Sequence, residues 1–223
     1  MSPPLLECVE IETAPKPTHA VIWLHGLGAD GHDFASVVPE LHLQDGPAIR
    51  FVFPHAPVRP VTVNNGMSMR AWYDIYAMGS VLREDKQGIR ASQHAIEALI
   101  AHENQRGISS DRIVLAGFSQ GCAMTLHTGP RLDQKLAGMI GLSGYLPLAG
   151  QFDAERHTAN QGTPIFLAHG VLDPVVAMAR GQAAHRQLTD AGYRASWKTY
   201  TMPHAVCLEE INDIAAFLRQ VLV

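Results

Sequence analysis

Short apolar runs alternate along the chain with longer segments in which apolar residues recur every three or four positions. The second kind is clearest in residues 85–106, where Ile89, Ile96 and Leu99 would share one face of a helix. This alternation is typical of βαβ units and a mostly parallel sheet, with an exposed antiparallel edge strand at 8–13. The pattern predicts further strands at 20–24, 49–53, 112–118, 138–142, 164–168 and 195–201, and helices at 34–41, 85–106, 120–131, 177–191 and 208–221.

Residues 55–83 follow neither pattern. The segment contains prolines, the turn signal Asn64-Asn65-Gly66, and clustered methionine and aromatic side chains. We expect a long ordered excursion without regular elements, because loops of this length in compact domains often form lids or binding walls. The alternative is a loop that only covers the core.

Composition limits the class of protein. The chain has 223 residues, 47% of them hydrophobic and 17% charged, so it can fill the core of a single α/β domain spanning 1–223. The net charge of -4 predicts no nucleic-acid partner, and no apolar stretch is long enough for stable membrane insertion. The first residues lack the pattern of a secretory signal. Three scattered cysteines provide neither a disulfide framework nor a zinc site, so we expect a reduced, cytoplasmic protein without a bound metal.

The pentapeptide Gly117-Phe118-Ser119-Gln120-Gly121 carries the first sign of chemistry. A predicted buried strand precedes it and a predicted helix follows it. A Gly-x-Ser-x-Gly sequence in that position forms a sharp turn that lifts the serine hydroxyl above the sheet. The flanking glycines allow the strand and the helix to pack closely. We therefore predict that Ser119 is a nucleophile.

A serine nucleophile needs a histidine as general base and a carboxylate to orient that histidine. In folds that use this turn, the acid follows the serine along the chain and the histidine comes last. Asp173 and His204 satisfy this order, and each follows a predicted strand, at the edge where open α/β sheets build active sites. The alternatives are a turn or N-cap aspartate and a solvated loop histidine. The candidates set aside, by position or chain order, are His127, His157, His169, His185, Asp133, Asp153 and Asp190.

An oxyanion hole needs two backbone N–H donors aimed at the developing negative charge. One comes from the residue after the nucleophile, which is Gln120. The other usually lies in the loop after an early strand, where Gly26 and Gly28 flank Leu27. A glycine-rich loop in this position also suggests phosphate binding, but the sequence lacks both the dinucleotide fingerprint and the P-loop lysine.

These residues and several other segments resemble the carboxylesterase and acyl-protein thioesterase family of small α/β-hydrolases, and specifically its bacterial branch. The resemblance extends in order from residue 21 to residue 217. The matching segments are 24–31, 54–57, 69–74, 117–121, 169–173 and 202–204.

The resemblance implies an α/β-hydrolase fold, with a mostly parallel central sheet flanked by helices on both faces. It makes the serine, acid and histidine named above a catalytic triad, and it makes Leu27 and Gln120 the oxyanion donors. It also implies that Trp72 and Val175 help to line an acyl pocket. The family further suggests that the enzyme needs no cofactor, is cytoplasmic and can form a homodimer.

We accordingly predict a serine carboxylesterase that hydrolyses small-molecule esters of short to medium acyl chains through an acyl-enzyme. One alternative is an acyl-protein thioesterase or lysophospholipase for long acyl chains, and a remote one is a catalytically silent binding protein of the same fold. The chain departs from the family at Cys122, where a second glycine is usual. This thiol could make the enzyme sensitive to thiol reagents, although a small buried hydrophobic residue is the simpler expectation.

Overall fold

The computed structural model describes residues 5–76 and 84–223, and alternating strands and helices occupy most of them. The strands are β1 (Cys8–Glu12), β2 (His19–Leu24), β3 (Ile49–Pro54), β4 (Val58–Val61), β5 (Met67–Arg70), β6 (Ile113–Phe118), β7 (Gly138–Leu142), β8 (Pro164–Gly170) and β9 (Arg194–Tyr200). The helices are α1 (Lys86–Gln105), α2 (Gln120–Thr128), α3 (Phe152–Glu155), α4 (Met178–Asp190) and α5 (Leu208–Val221).

Among the described residues, seven strands form one twisted sheet in the order β1-β3-β2-β6-β7-β8-β9. Only β1 is antiparallel to its neighbour, and every other pairing in this sheet is parallel. The central strands β2, β6 and β7 are buried almost throughout, as expected for strands covered on both faces. The predicted fold, including the exposed antiparallel edge strand, is confirmed.

Two apolar clusters cover the two faces of the sheet. One packs the inner sides of α1, α2 and α4 against residues such as Ile22 and Leu115. The other packs α5 and the turns near Leu41 against Val21 and Val114. Neighbouring residues of β2 and β6 thus serve opposite faces, as strand geometry requires. None of the helices in the described ranges has both the length and the apolar character needed to cross a membrane.

Proline accounts for two differences from the predicted helices. The helix predicted at 34–41 is instead two short 3-10 turns, Ala35–Val37 and Pro39–Leu41. Pro39 begins the second turn and has no N–H with which to continue an α-helix from the first. Similarly, α2 ends at Thr128, and a 3-10 turn containing Pro130 replaces the last part of the helix predicted at 120–131.

The prediction that 55–83 lacks regular elements was wrong for part of that segment. Strands β4 and β5 pair antiparallel as a two-stranded ribbon. A 3-10 turn followed by Asn65 and Gly66, both at positive φ, reverses the chain between them. Asp74 then accepts hydrogen bonds from the amide (2.7 Å) and the hydroxyl (2.6 Å) of Thr62, which fixes the base of the ribbon. Residues 77–83 of the predicted excursion lie outside the described ranges.

The parallel register places the ends of several strands at one edge of the sheet. Phe118 at the end of β6 pairs with Leu142 of β7, and Gly170 at the end of β8 pairs with Tyr200 of β9. The loops that carry Ser119, Asp173 and His204 all start at this edge, which is the edge where doubly wound sheets bind ligands.

Candidate active site

Ser119 occupies a strained turn between β6 and α2. Its backbone has φ 56° and ψ -114°, a conformation that non-glycine residues rarely adopt. The glycines on either side make the turn possible. A Cβ at Gly117 would lie 2.2 Å from the carbonyl oxygen of Gly121, and a Cβ at Gly121 would lie 2.2 Å from that of Leu24. The amide of Ser119 donates to the carbonyl of Leu142 at 2.8 Å, which ties the turn to the neighbouring strand.

The structure brings Ser119, His204 and Asp173 into one hydrogen-bonded chain. The Nδ1 atom of His204 lies 2.6 Å from Oδ2 of Asp173, and its Nε2 atom lies 2.9 Å from Oγ of Ser119. An ionised carboxylate can only accept, so Nδ1 carries the imidazole proton and Nε2 is free to accept from the serine hydroxyl. The ring of Phe118 packs against the imidazole at a centroid distance of 4.7 Å. His204 thus meets Asp173, 31 positions away in the chain, and Ser119, 85 positions away, at the end of the sheet.

The Asp173 carboxylate is buried, yet its environment favours the charged form. Its side chain is 0% exposed, and burial alone would raise its pKa. The hydrogen bond with His204 and those from the amides of Val176 (2.9 Å) and Val175 (2.8 Å) outweigh burial and lower the pKa of the carboxyl. Asp173 therefore stays ionised and can stabilise an imidazolium beside it.

Leu27 and Gln120, the two predicted oxyanion donors, belong to two parts of the chain that meet at the serine turn. Gln120 is the first residue of α2, where backbone N–H groups have no partner within the helix. Leu27 follows Gly26, where an added Cβ would lie 3.4 Å from Cβ of Ser119. Neither amide is hydrogen-bonded to any of the residues that the structure describes. The two amides therefore remain candidates for the oxyanion donors.

The His25 side chain fixes the backbone of the loop that carries Leu27. Its Nδ1 atom lies 2.7 Å from the carbonyl oxygen of Gly26, and the amide of Ala56 donates to its Nε2 atom at 3.1 Å. These two contacts fix the neutral tautomer with the proton on Nδ1, and burial lowers the pKa of the ring. The sequence analysis did not assign His25 a role, because its partner Ala56 is 31 positions away.

The side chain of Gln120 has a second function that the sequence did not reveal. Its Oε1 accepts from the amide of Trp72 and its Nε2 donates to the carbonyl of Tyr73, both at 2.8 Å. The indole N–H of Trp72 donates in turn to the carbonyl of His25 at 2.9 Å. The carbonyl of Trp72 accepts from the hydroxyl of Ser92. This network attaches residues 72–73 rigidly to the serine turn and to the loop that follows β2.

Trp72 and Val175, the two residues predicted to line an acyl pocket, occupy different environments. The indole of Trp72 is 0% exposed and lies within the network described above. Val175 is 46% exposed, and with Val171 and Leu172 it forms an apolar surface around Asp173. The described contacts do not join Trp72 to Val175.

Cys122 is 1% exposed and packs beneath the serine turn, where a Cβ added at Gly144 would lie 2.5 Å from its sulfur. Burial raises the pKa of this thiol far above its ordinary value. A thiol in such surroundings is inert. The structure thus favours the expectation of a small buried hydrophobic residue over that of a reactive cysteine.

One group of side chains has the composition of a metal site. Asp30, His32 and His55 each place one ligand atom within 4.8 Å of the others. However, Nδ1 of His55 already accepts a hydrogen bond from the Gly31 amide at 3.0 Å, and Nδ1 of His32 lies 3.1 Å from Oδ1 of Asp30. His32 is also largely exposed. These contacts already occupy one ring nitrogen of each histidine.

Comparison with known proteins gives one consistent result. A family model described as phospholipase/carboxylesterase matches residues 6–222. A protein named acyl-protein thioesterase 1 from Gibberella zeae is 43% identical over 94% of this chain and 93% of its own length. A protein of the same name from Neurospora crassa is 42% identical over 98% of this chain and 91% of its own length. Because these relatives are fungal, the prediction of a specifically bacterial branch is not supported.

Solved structures agree in fold. The chain is similar to Zea mays acyl-protein thioesterase 2, with a TM-score of 0.84 and 28% identity over 96% of this chain and 99% of that one. It is also similar to the esterase PE8, with a TM-score of 0.82 and 27% identity over 98% of this chain and 100% of that one. The two neighbours carry names for two different activities on similar folds.

Proposed function

Because the chain belongs to the phospholipase/carboxylesterase family of α/β-hydrolases, we propose that it is a serine hydrolase that cleaves acyl thioesters, in the manner of an acyl-protein thioesterase. The observation that carries the chemistry is the hydrogen-bonded chain from Ser119 through His204 to Asp173. The observation that favours thioesters is the name shared by the relatives at 42–43% identity. This replaces the short-chain carboxylesterase as the leading assignment.

The reaction proceeds in two acyl-transfer steps. His204 takes the hydroxyl proton of Ser119 as the serine oxygen attacks the acyl carbonyl, and Asp173 stabilises the imidazolium that results. The imidazolium then protonates the leaving thiol or alcohol. A water molecule enters, His204 takes its proton, and attack on the acyl-enzyme releases the carboxylic acid and restores the serine.

The amides of Leu27 and Gln120 receive the negative charge of both tetrahedral intermediates. They cost no reorganisation when the charge forms, because His25 fixes one loop and the serine turn fixes the other amide. A donor of this kind contributes about 3 kcal/mol of transition-state stabilisation. The reaction needs no cofactor in this scheme, because the chain supplies the nucleophile, the base and the oxyanion donors.

The acyl chain would contact Val175 at the mouth of the site, and the buried residues Trp72 and Tyr73 would support the inner part of the pocket. The exposed apolar side chains of Val171, Leu172 and Val175 provide a surface for methylene groups at the mouth of the site. The ester or thioester can come from a small molecule or from an acylated protein. A homodimer and a cytoplasmic location remain predictions from the sequence, and the scheme requires neither.

A carboxylesterase for short to medium acyl chains is the second candidate. The similarity to the esterase PE8 favours it, as does the engagement of Trp72, whose indole is buried and hydrogen-bonded rather than open to a long groove. A catalytically silent binding protein is the remote third candidate, and covalent labelling of Ser119 by a fluorophosphonate would exclude it.

Kinetics on matched substrates separate the first two candidates. We would measure kcat/KM for S-acyl and O-acyl substrates that share one leaving-group scaffold, with acyl chains of about 2 to 16 carbons. Each methylene that becomes buried contributes about 0.8 kcal/mol, or roughly a fourfold rise in kcat/KM. We expect kcat/KM to rise into the long chains, to be higher for the thioesters, and to vanish in Ser119→Ala.

A maximum at short chains with a preference for oxyesters would contradict the thioesterase and support the carboxylesterase. Activity that survives in Ser119→Ala would instead overturn the assignment as a serine hydrolase.

A further inference from the structure

A second histidine lies against the carboxylate of Asp173, opposite His204. His169 is near the end of β8 and is 0% exposed. Its Nε2 atom lies 2.8 Å from the carbonyl oxygen of Val176 and 3.3 Å from Oδ2 of Asp173. Both neighbours are acceptors, so Nε2 must carry the proton and act as a donor.

The contact with Val176 also links His169 indirectly to the Asp173 carboxylate. The amide of Val176 donates to Oδ1 of Asp173 at 2.9 Å, while its carbonyl accepts from His169. The imidazole therefore fixes the same residue that fixes Oδ1, and it approaches Oδ2 directly. Oδ2 is the oxygen that contacts His204.

The surroundings of the other ring nitrogen keep His169 uncharged. Its Nδ1 atom has no hydrogen-bond partner among the described residues. A Cβ at Gly181 would lie 2.6 Å from Nδ1, so the backbone of α4 closes directly over this atom. Trp197 lies beside the ring, with a centroid distance of 6.0 Å. A proton at Nδ1 would have no acceptor there, and burial lowers the pKa of this histidine.

We propose that His169 is a positioning residue that acts as a neutral donor, fixing the Asp173 carboxylate without reducing the negative charge that the carboxylate offers to His204. The proposal rests on the proposed function, since it concerns the carboxylate of the same Ser119-His204-Asp173 chain. A cation in this position would compete with the imidazolium of His204. A purely apolar side chain would leave the carbonyl of Val176 without this donor, and it would leave Oδ2 with His204 as its only side-chain donor among the described residues.

A core histidine with only a packing role is the competing explanation. The positioning role and the packing role predict different losses in kcat when substitutions at His169 and Asp173 are combined. If His169 acts through the carboxylate, the two losses in kcat are not additive, because the second change removes a function that is already lost. A packing role predicts losses that add.

The experiment compares His169→Gln and His169→Phe, alone and in the Asp173→Asn background. The amide nitrogen of glutamine reaches the position of Nε2, whereas phenylalanine keeps the ring shape and removes the donor. We expect His169→Phe to lower kcat by about 10- to 100-fold with KM within about twofold of the original protein, because a misplaced catalytic group costs rate rather than binding. His169→Gln should recover most of kcat, and His169→Phe should cost less than about twofold in Asp173→Asn.

Gly181→Ala provides a second variant that leaves His169 in place. Its new methyl group would press on Nδ1 and displace the ring, so we expect kcat to fall while KM changes little. Thermal unfolding of every variant shows whether the chain remains folded.

His169→Gln as slow as His169→Phe, or losses that add in Asp173→Asn, would overturn the proposal and leave the proposed function intact. Failure of the unsubstituted protein to turn over any ester or thioester, or to react with a fluorophosphonate at Ser119, would overturn both.

Discussion

Three histidines around Ser119 differ in what their ring nitrogens contact. His204 has a carboxylate on one side and the serine hydroxyl on the other. His25 donates to a carbonyl and accepts from an amide, so it holds a loop. His169 donates to the carbonyl of Val176 and lies 3.3 Å from the carboxylate of Asp173, and its other nitrogen is enclosed. The same side chain therefore serves as a base or as a support, according to its two neighbours.

Gln120 offers a test at this scale, because its backbone and its side chain do different work. Gln120→Ala keeps the N–H at the oxyanion position and removes the two bonds to Trp72 and Tyr73. At about 1 kcal/mol for each hydrogen bond, we expect kcat/KM to fall by roughly tenfold or more as residues 72–73 shift. Steady-state kinetics measure the effect, with Gln105→Ala at an exposed position as the matched control. An unchanged kcat/KM would show that the side chain does not maintain the site.

Chain order was sufficient to predict the residues that meet at Ser119, but not those that support them. Ser, Asp and His in that order at strand ends pointed to Asp173 and His204, and the structure places both within hydrogen-bonding distance along one chain of contacts. The roles of His25 and His169 depend on a backbone group 31 positions away and on the close approach of a helix. Composition and periodicity reveal neither of these two contacts.

Among the helices and strands, the predictions from apolar periodicity failed where a proline or a short exposed strand determined the local backbone. Pro39 divides a predicted helix into two 3-10 turns. Strands β4 and β5 have four residues each, and only Val61 among them is buried, so they lack the apolar alternation that identifies a strand. The bounds predicted for the long amphipathic α1 differ from the observed ones by one residue at each end, because its apolar stripe is visible in the sequence.

Helix α5 contains a buried carboxyl group that should make folding stability depend on pH. Glu210 is 0% exposed, and neither carboxyl oxygen has a hydrogen-bond partner among the described residues. Burial, with a smaller contribution from the charge of Asp213, raises its pKa from 4.5 to about 8, although the nearby amide of Cys207 offsets part of the rise. The folded protein therefore keeps Glu210 neutral across a range in which the unfolded chain ionises it.

The sign of the effect follows from linkage. Below pH 4.5 Glu210 is protonated in both the folded and the unfolded chain, and its contribution to the free energy of unfolding is fully present. That contribution is lost as the pH rises from 4.5 through about 8. We expect Glu210→Gln to match the original protein near pH 4 and to be more stable at pH 8, by an amount on the order of 4 kcal/mol. Urea unfolding at both pH values measures this, with the exposed Glu209→Gln as control. Equal stability of Glu210→Gln and the original protein at pH 8 would contradict the account.

In the molecule as a whole, the parallel sheet brings residues that are far apart in the sequence together at one site. Strands β6, β8 and β9 end at one edge, so the residues that follow them converge although up to 85 positions separate them. The strain at Ser119 is held by pairing on both sides of β6 and by the packing of α2 on the sheet. Leu27 approaches the same point from the end of β2, which is next to β6.

This arrangement should make Ser119 a nucleophile, and reaction with a covalent probe for serine nucleophiles shows whether it does. The measurement is the intact mass of the folded protein after treatment with an alkyl fluorophosphonate, for the original protein and for Ser119→Ala, with heat-unfolded protein as control. We expect one adduct on the folded original protein, located at Ser119, and none on Ser119→Ala or on the unfolded chain. A folded protein that stays unlabelled, or a Ser119→Ala variant labelled as fast as the original, would contradict it.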